Sequence, residues 1–147
     1  MALDNALRFA VSSASPITTG FTSGNAYSQD TDVLKIGNSS LRGGASGMPI
    51  DPMQLIVDCT TAPGTSRTTT VLLKYTIDGS TWIDLASGVI PAVKKGRKVV
   101  SCGLDIRPEV YAVANVQFKC TISAPASTNV TNAVLDIYLG AGEVGDL

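Results

Sequence analysis

The residues able to do chemistry are few and scattered. No histidine occurs among the 147 residues, which removes the commonest general base, the usual partner of a nucleophilic Ser or Cys, and the favoured zinc ligand. Glu109 and Glu143 are the only glutamates, so little is left for the paired carboxylates that cleave glycosidic bonds. Asp58, Asp84 and Asp136 fall on the polar faces of alternating segments and read as solvated spacers. Asp30 and Asp32 in "SQDTD" have a spacing that suits calcium, but the further acidic ligands and the glycine of a calcium loop are missing, and the stretch reads as a polar turn. "GNSSLRGGASG" has neither the spacing nor the lysine of a phosphate loop. Asn38 in "NSS" and Asn129 in "NVT" match the glycosylation pattern by coincidence if, as the acidic start "MALDNALRFAVSS" suggests, no secretion signal is present. The expectation is a protein without catalytic residues, metal or cofactor.

One cluster stands out. "KKGRK" places Lys94, Lys95, Arg97 and Lys98 around Gly96, four of the eleven basic residues within five positions. It reads as a solvated hairpin tip or, functionally, as a contact for an acidic protein surface. No aromatic residues alternate with the basic ones, as a platform for single-stranded nucleic acid would require. The formal net charge of −1 gives no global field to draw the chain onto nucleic acid or an anionic membrane. Neither is an expected partner. Cys59, Cys102 and Cys120 lie in three separate apolar runs with no CxxC pair, the pattern of small buried side chains rather than of a zinc or redox centre.

The elements that must position these residues are strands. In residues 110–122, Val110, Ala112, Ala114, Val116, Phe118, Cys120 and Ile122 alternate with a mainly polar set. Burying that face would contribute on the order of 10 kcal/mol before opposing terms, which predicts a central strand. "QLIVDCT", "TTVLLKYTI", "TWIDLAS", "SGVIPAV", "KVVSCGLDI" and "NAVLDIYLG" read as further strands, "DVLKIG" as a short one, and Asp78-Gly79 as a hairpin turn. No stretch sustains a helical period. About eight closely spaced strands predict a single all-β domain, an antiparallel sandwich or barrel of jelly-roll type. Its expected parts are an N-terminal arm with a first strand or loop over residues 1–32, the sandwich over 33–140, and a flexible tail over 141–147. A chain this long can bury roughly two thirds of its unfolded surface without staples.

The order of features carries a resemblance. "LDNALRF", "VLKIG", "QLIVDCTTA", "TVLLKYTIDGSTWIDLASGVIPA", a glycine-containing turn into "KVVSCGL", "EVYAVANVQFKCTISA" and "AVLDIYLG" follow one another along the chain. In that order they resemble the small cement, or decoration, proteins of tailed bacteriophage capsids, of the type found in Bordetella phages, most strongly over residues 54–139. Relative to that pattern, residues 12–32 and 38–52 are enlarged. The resemblance implies a jelly-roll-like homo-oligomer, dimer or trimer, made in the host cytoplasm. It would sit on the outer capsid surface and clamp neighbouring major capsid proteins without enzymatic activity. Contact residues expected on this reading are Leu3, Leu7 and Phe9 as an apolar patch on the arm, Leu41 and Arg42 in the glycine-rich loop, and Lys94, Lys95, Arg97 and Lys98. Two other readings remain open at this point. One is a carbohydrate-binding β-sandwich using Trp82, Tyr111 and Tyr138; the other is a tail or neck component of a phage particle.

Overall fold

The computed structural model describes residues 8–35, 53–102 and 117–141. They form nine strands: β1 (Ile17–Thr18), β2 (Asn25–Asp30), β3 (Leu34–Lys35), β4 (Met53–Thr61), β5 (Thr69–Thr76), β6 (Ile83–Ile90), β7 (Gly96–Ser101), β8 (Gln117–Ser127) and β9 (Val134–Ala141). All pair antiparallel in two sheets. The first has the order β1-β9-β4-β7, and the second β2-β8-β5-β6 with β3 also on β8. Because β3 pairs Phe118 and Gln117 while β2 pairs residues 121–127 of the same strand, β2 and β3 are one interrupted strand along one edge of β8. The chain crosses between sheets at β1–β2, β3–β4, β4–β5, β6–β7, β7–β8 and β8–β9, with β5–β6 the one hairpin inside a sheet among the described residues, which is the connectivity of an eight-stranded jelly roll once β2 and β3 are counted as one strand.

Side-chain alternation explains why these segments pair as they do. Leu55, Val57 and Cys59 on β4, Val71, Leu73 and Tyr75 on β5, Phe118, Cys120 and Ile122 on β8, and Leu135, Ile137 and Leu139 on β9 meet in one core between the sheets. Cys59, Cys102 and Cys120 are all buried thiols outside any disulfide, as their apolar neighbours predict. The described part of the long alternating segment, residues 117–122, keeps its even positions inward. Val116 and the residues before it lie outside the described residues. The strand runs on through Pro125, where the pairing with β2 shifts register between Asn25 and Tyr27, an irregular place of the kind where a strand accepts proline.

Two expectations change. Residues 83–90, which read as two segments, "TWIDLAS" and "SGVIPAV", are one strand, and a bulge opposite Leu73 and Lys74 absorbs Leu85 as the extra residue. Residues 8–32 contribute more to the sandwich than an arm with one strand or loop. Phe9 donates its N–H to Ile137 O at 2.8 Å, Arg8 bridges Tyr138, and β1 and β2 enter different sheets. Ahead of β1, Ser12 and Ser13 both have positive φ, and their N–H groups donate to the two carboxylate oxygens of Asp32 at 3.1 and 2.7 Å.

Candidate functional site

The basic turn is built where β6 stops. Pro91 follows Ile90 and has no N–H to continue the ladder, so the chain turns through residues 91–95 and re-enters a sheet at Gly96 with φ of 138°. Lys94 N–H closes the turn onto Pro91 O at 3.4 Å. Its third residue, Val93, has φ of 56°, a place in a four-residue turn where Gly or Asn is usual and a β-branched side chain is strained. Neighbours hold it there. Val93 N–H donates to Pro63 O at 2.8 Å, and the Cys59 thiol, raised in pKa by burial, donates to Thr61 O at 3.2 Å and reaches Lys94 O at 3.8 Å. Beside the turn is a shallow depression of about 160 Å³ lined by Val89, Pro91, Lys94, Lys95 and Lys98 among others.

The four basic residues do not act alike. Arg97 also lines the depression but is paired, because antiparallel register sets it opposite Asp58. Its Nε and Nη2 donate to the two oxygens of that carboxylate at 2.6 and 2.9 Å, which raises the Arg97 pKa chiefly through the hydrogen bonds. Arg97 is therefore a paired and part-buried member of the tip, not a freely solvated one. Lys94, Lys95 and Lys98 are exposed. Among the described residues none of the three ammonium groups has a carboxylate partner.

Asp58 and Asp136 are not solvated spacers. They face each other across the β4–β9 pairing, and each is held bidentately by an arginine, Asp136 by Arg8 at 2.6 and 2.8 Å. The result is a row, Arg8–Asp136–Asp58–Arg97, across the outer face of the first sheet, in which two like charges on adjacent strands are each neutralised from outside. Asp84, by contrast, is exposed as expected.

Phe9 is corrected as well. At 1% exposure its ring is core, so within this fold it is not an exposed docking group. Leu3, Leu7, Leu41 and Arg42 lie outside the described residues, as does Tyr111. Tyr138, expected to be an outward aromatic, is 8% exposed and lies under the Arg8 guanidinium, 5.6 Å from the ring centroid. Burial and the adjacent Asp136 raise its pKa. Trp82 is half-buried, with the Lys119 ammonium over its ring at 4.5 Å. Asp30 and Asp32 serve different partners. Asp30 accepts from Thr121 Oγ at 2.6 Å and pairs with Lys119 at 3.3 Å, lowering its pKa, whereas Asp32 holds Ser12 and Ser13. Among the described residues no three His, Cys, Asp or Glu side chains are grouped to hold a metal ion.

One residue went unmarked in the sequence. Arg67, in the loop between β4 and β5, has 0% exposure. All five of its N–H donors reach backbone carbonyls: Nε to Asn129 O, Nη1 to Asn25 O and Pro125 O, Nη2 to Thr22 O and Ser127 O, at 2.6 to 3.0 Å. Phe21 lies against the guanidinium, with 4.8 Å between them. Three inter-sheet loops and the end of β8 are thereby tied to one charge. The β6–β7 turn joins them through Val93 and Pro63.

No protein-family model matches this chain, and neither does any curated protein or solved structure with which it was compared.

Proposed function

We propose that this chain is a virion structural protein, a capsid cement protein that binds the outside of an assembled capsid and clamps neighbouring major capsid proteins. In this reading it acts as a homo-oligomer, without catalysis. The observation that carries it is the ordered resemblance over residues 54–139. The fold adds physical support, because its described charged groups are largely committed to holding the sandwich: Arg67 to carbonyls, Arg8 and Arg97 to Asp136 and Asp58, Asp32 to a turn. What remains free is surface, the lysine-rich turn above all. A rigid block of this kind stabilises a lattice by binding the assembled state in preference to its free subunits, and many weak copies suffice once linked.

The test is co-sedimentation of the purified chain with purified expanded capsid shells, together with a reconstruction of the particle. Density for hundreds of copies on the outer shell is the expected result. About six or twelve copies would assign it to the tail or neck instead, and absence from the particle would overturn the proposal. The carbohydrate-binding reading loses support from the buried Tyr138 and the capped Trp82.

A further inference from the structure

Beside the β6–β7 turn, two independent features coincide. The first is charge without a partner. Lys94, Lys95, Arg97 and Lys98 all line one depression, and of the four Arg97 alone has a carboxylate partner among the described residues, Asp58. Three exposed ammonium groups close together repel one another, and a fold gains nothing from holding them so unless something anionic comes between them. The second is an apolar group held out in water against its backbone preference. Val93 is 66% exposed, the most exposed of the large described hydrophobics, and its positive φ is one that Gly or Asn would adopt without strain. Val89, 44% exposed, lines the same depression. The turn is also preorganised, since Val93 N–H and Lys94 O are both tied to the neighbouring loop and strand end.

We infer that this groove is a docking site for an acidic segment of another protein, one that alternates carboxylates with apolar side chains. The carboxylates would lie between the lysines, and the apolar groups against Val89 in the depression and Val93 on the turn beside it. Charge complementarity selects the acid, and the exposed valines select a protein over a nucleic acid, whose bases would find no aromatic stacking surface here. The inference rests on the proposed capsid role only for the source of the segment, a capsid subunit.

The experiment titrates the ¹⁵N-labelled full chain with a synthetic peptide of alternating Asp and Leu, and in parallel with oligothymidylate and with inorganic phosphate. Expected are amide shifts confined to residues 89–98 with the peptide, an affinity that falls with added salt, and a loss of about tenfold or more on Lys94→Glu with Lys95→Glu. Val93→Asn relieves the turn while removing the apolar contact, so it is expected to raise the Tm and weaken peptide binding together. A merely structural role for Val93 would move only the Tm. Absence of shifts in the groove, retained affinity in the lysine variant, or equally tight binding of oligothymidylate or phosphate would overturn the inference. Shell co-sedimentation separates it from the capsid role: shells that bind while the peptide does not refute the groove alone, and the reverse refutes the lattice reading alone.

Discussion

Two regions of this sandwich use arginine in opposite ways. At the loop end, Arg67 is fully buried and meets no carboxylate, its charge spread over five backbone carbonyls and the Phe21 ring. On the outer face of the first sheet, Arg8 and Arg97 are about one-fifth exposed and each grips one aspartate with two bonds. The first arrangement fixes where chain segments lie, because a carbonyl has a place but no net charge. The second neutralises two aspartates that strand register has forced together. A buried cation is costly to desolvate, and it is tolerated only if every donor is met; a half-exposed pair carries less at stake on either side.

The comparison can be broken first at Arg67. Replacing it with Met leaves five carbonyls without their donor, and a loss on the order of 3–5 kcal/mol is expected in a urea titration. Arg67→Lys should lose much of the same stability, because three donors on one nitrogen cannot reach five acceptors set around a plane. A variant with parental stability would show that the loops hold themselves. Next comes Gly64, in the same loop, where a Cβ would fall on the Asn129 side chain, whose own Oδ1 accepts from Thr131 N–H. Gly64→Ala is expected to cost about 1–3 kcal/mol through that overlap, visible as a lower Tm.

On the sheet face, Arg97→Gln should cost about 1 kcal/mol at low salt. Adding Asp58→Asn to it should restore part of the loss, since the single variant leaves Asp58 facing Asp136 with only Arg8 to compensate. A double-mutant cycle in low and high salt checks this, and strict additivity would mean that the row is not coupled. The smallest effect belongs to neither region. In the β5–β6 turn, Asp78 Oδ1 accepts from Ser80 N–H, Thr81 N–H and Thr76 Oγ at 2.7 to 2.9 Å, which lowers its pKa from 3.8 to about 2. Its stabilisation is present above the ordinary carboxylate value and is lost as pH falls through about 2. Asp78→Asn should lower the Tm slightly at neutral pH and flatten its dependence between those values, as thermal melts in acid would show.

The core strands were legible because their information is local. Alternation in β4, β5, β8 and β9 names its own inner face, and Asp78-Gly79 names its turn. β2 was not legible as a strand because it is an exposed edge with only Tyr27 half-buried, so it shows no apolar period. Phe9 read as an arm residue because its partner, Ile137, is far along the chain and no short-range pattern links them. Of the candidate contact residues, the three lysines were legible as exposed charge, whereas Arg97 was not, since its partner is set by strand register. Arg67 had no visible signal at all: its acceptors are carbonyls, which every residue possesses.

The Arg67 clamp also has a history in time. Its acceptors are drawn from 45 residues before it to 62 after it. A ribosome must therefore have released Asn129 before the guanidinium can find its last partner, and until then the charge is better off in water. This end of the molecule is thus expected to close late, after β4 and β5 have been synthesised, with β8 arriving as the piece that shuts it.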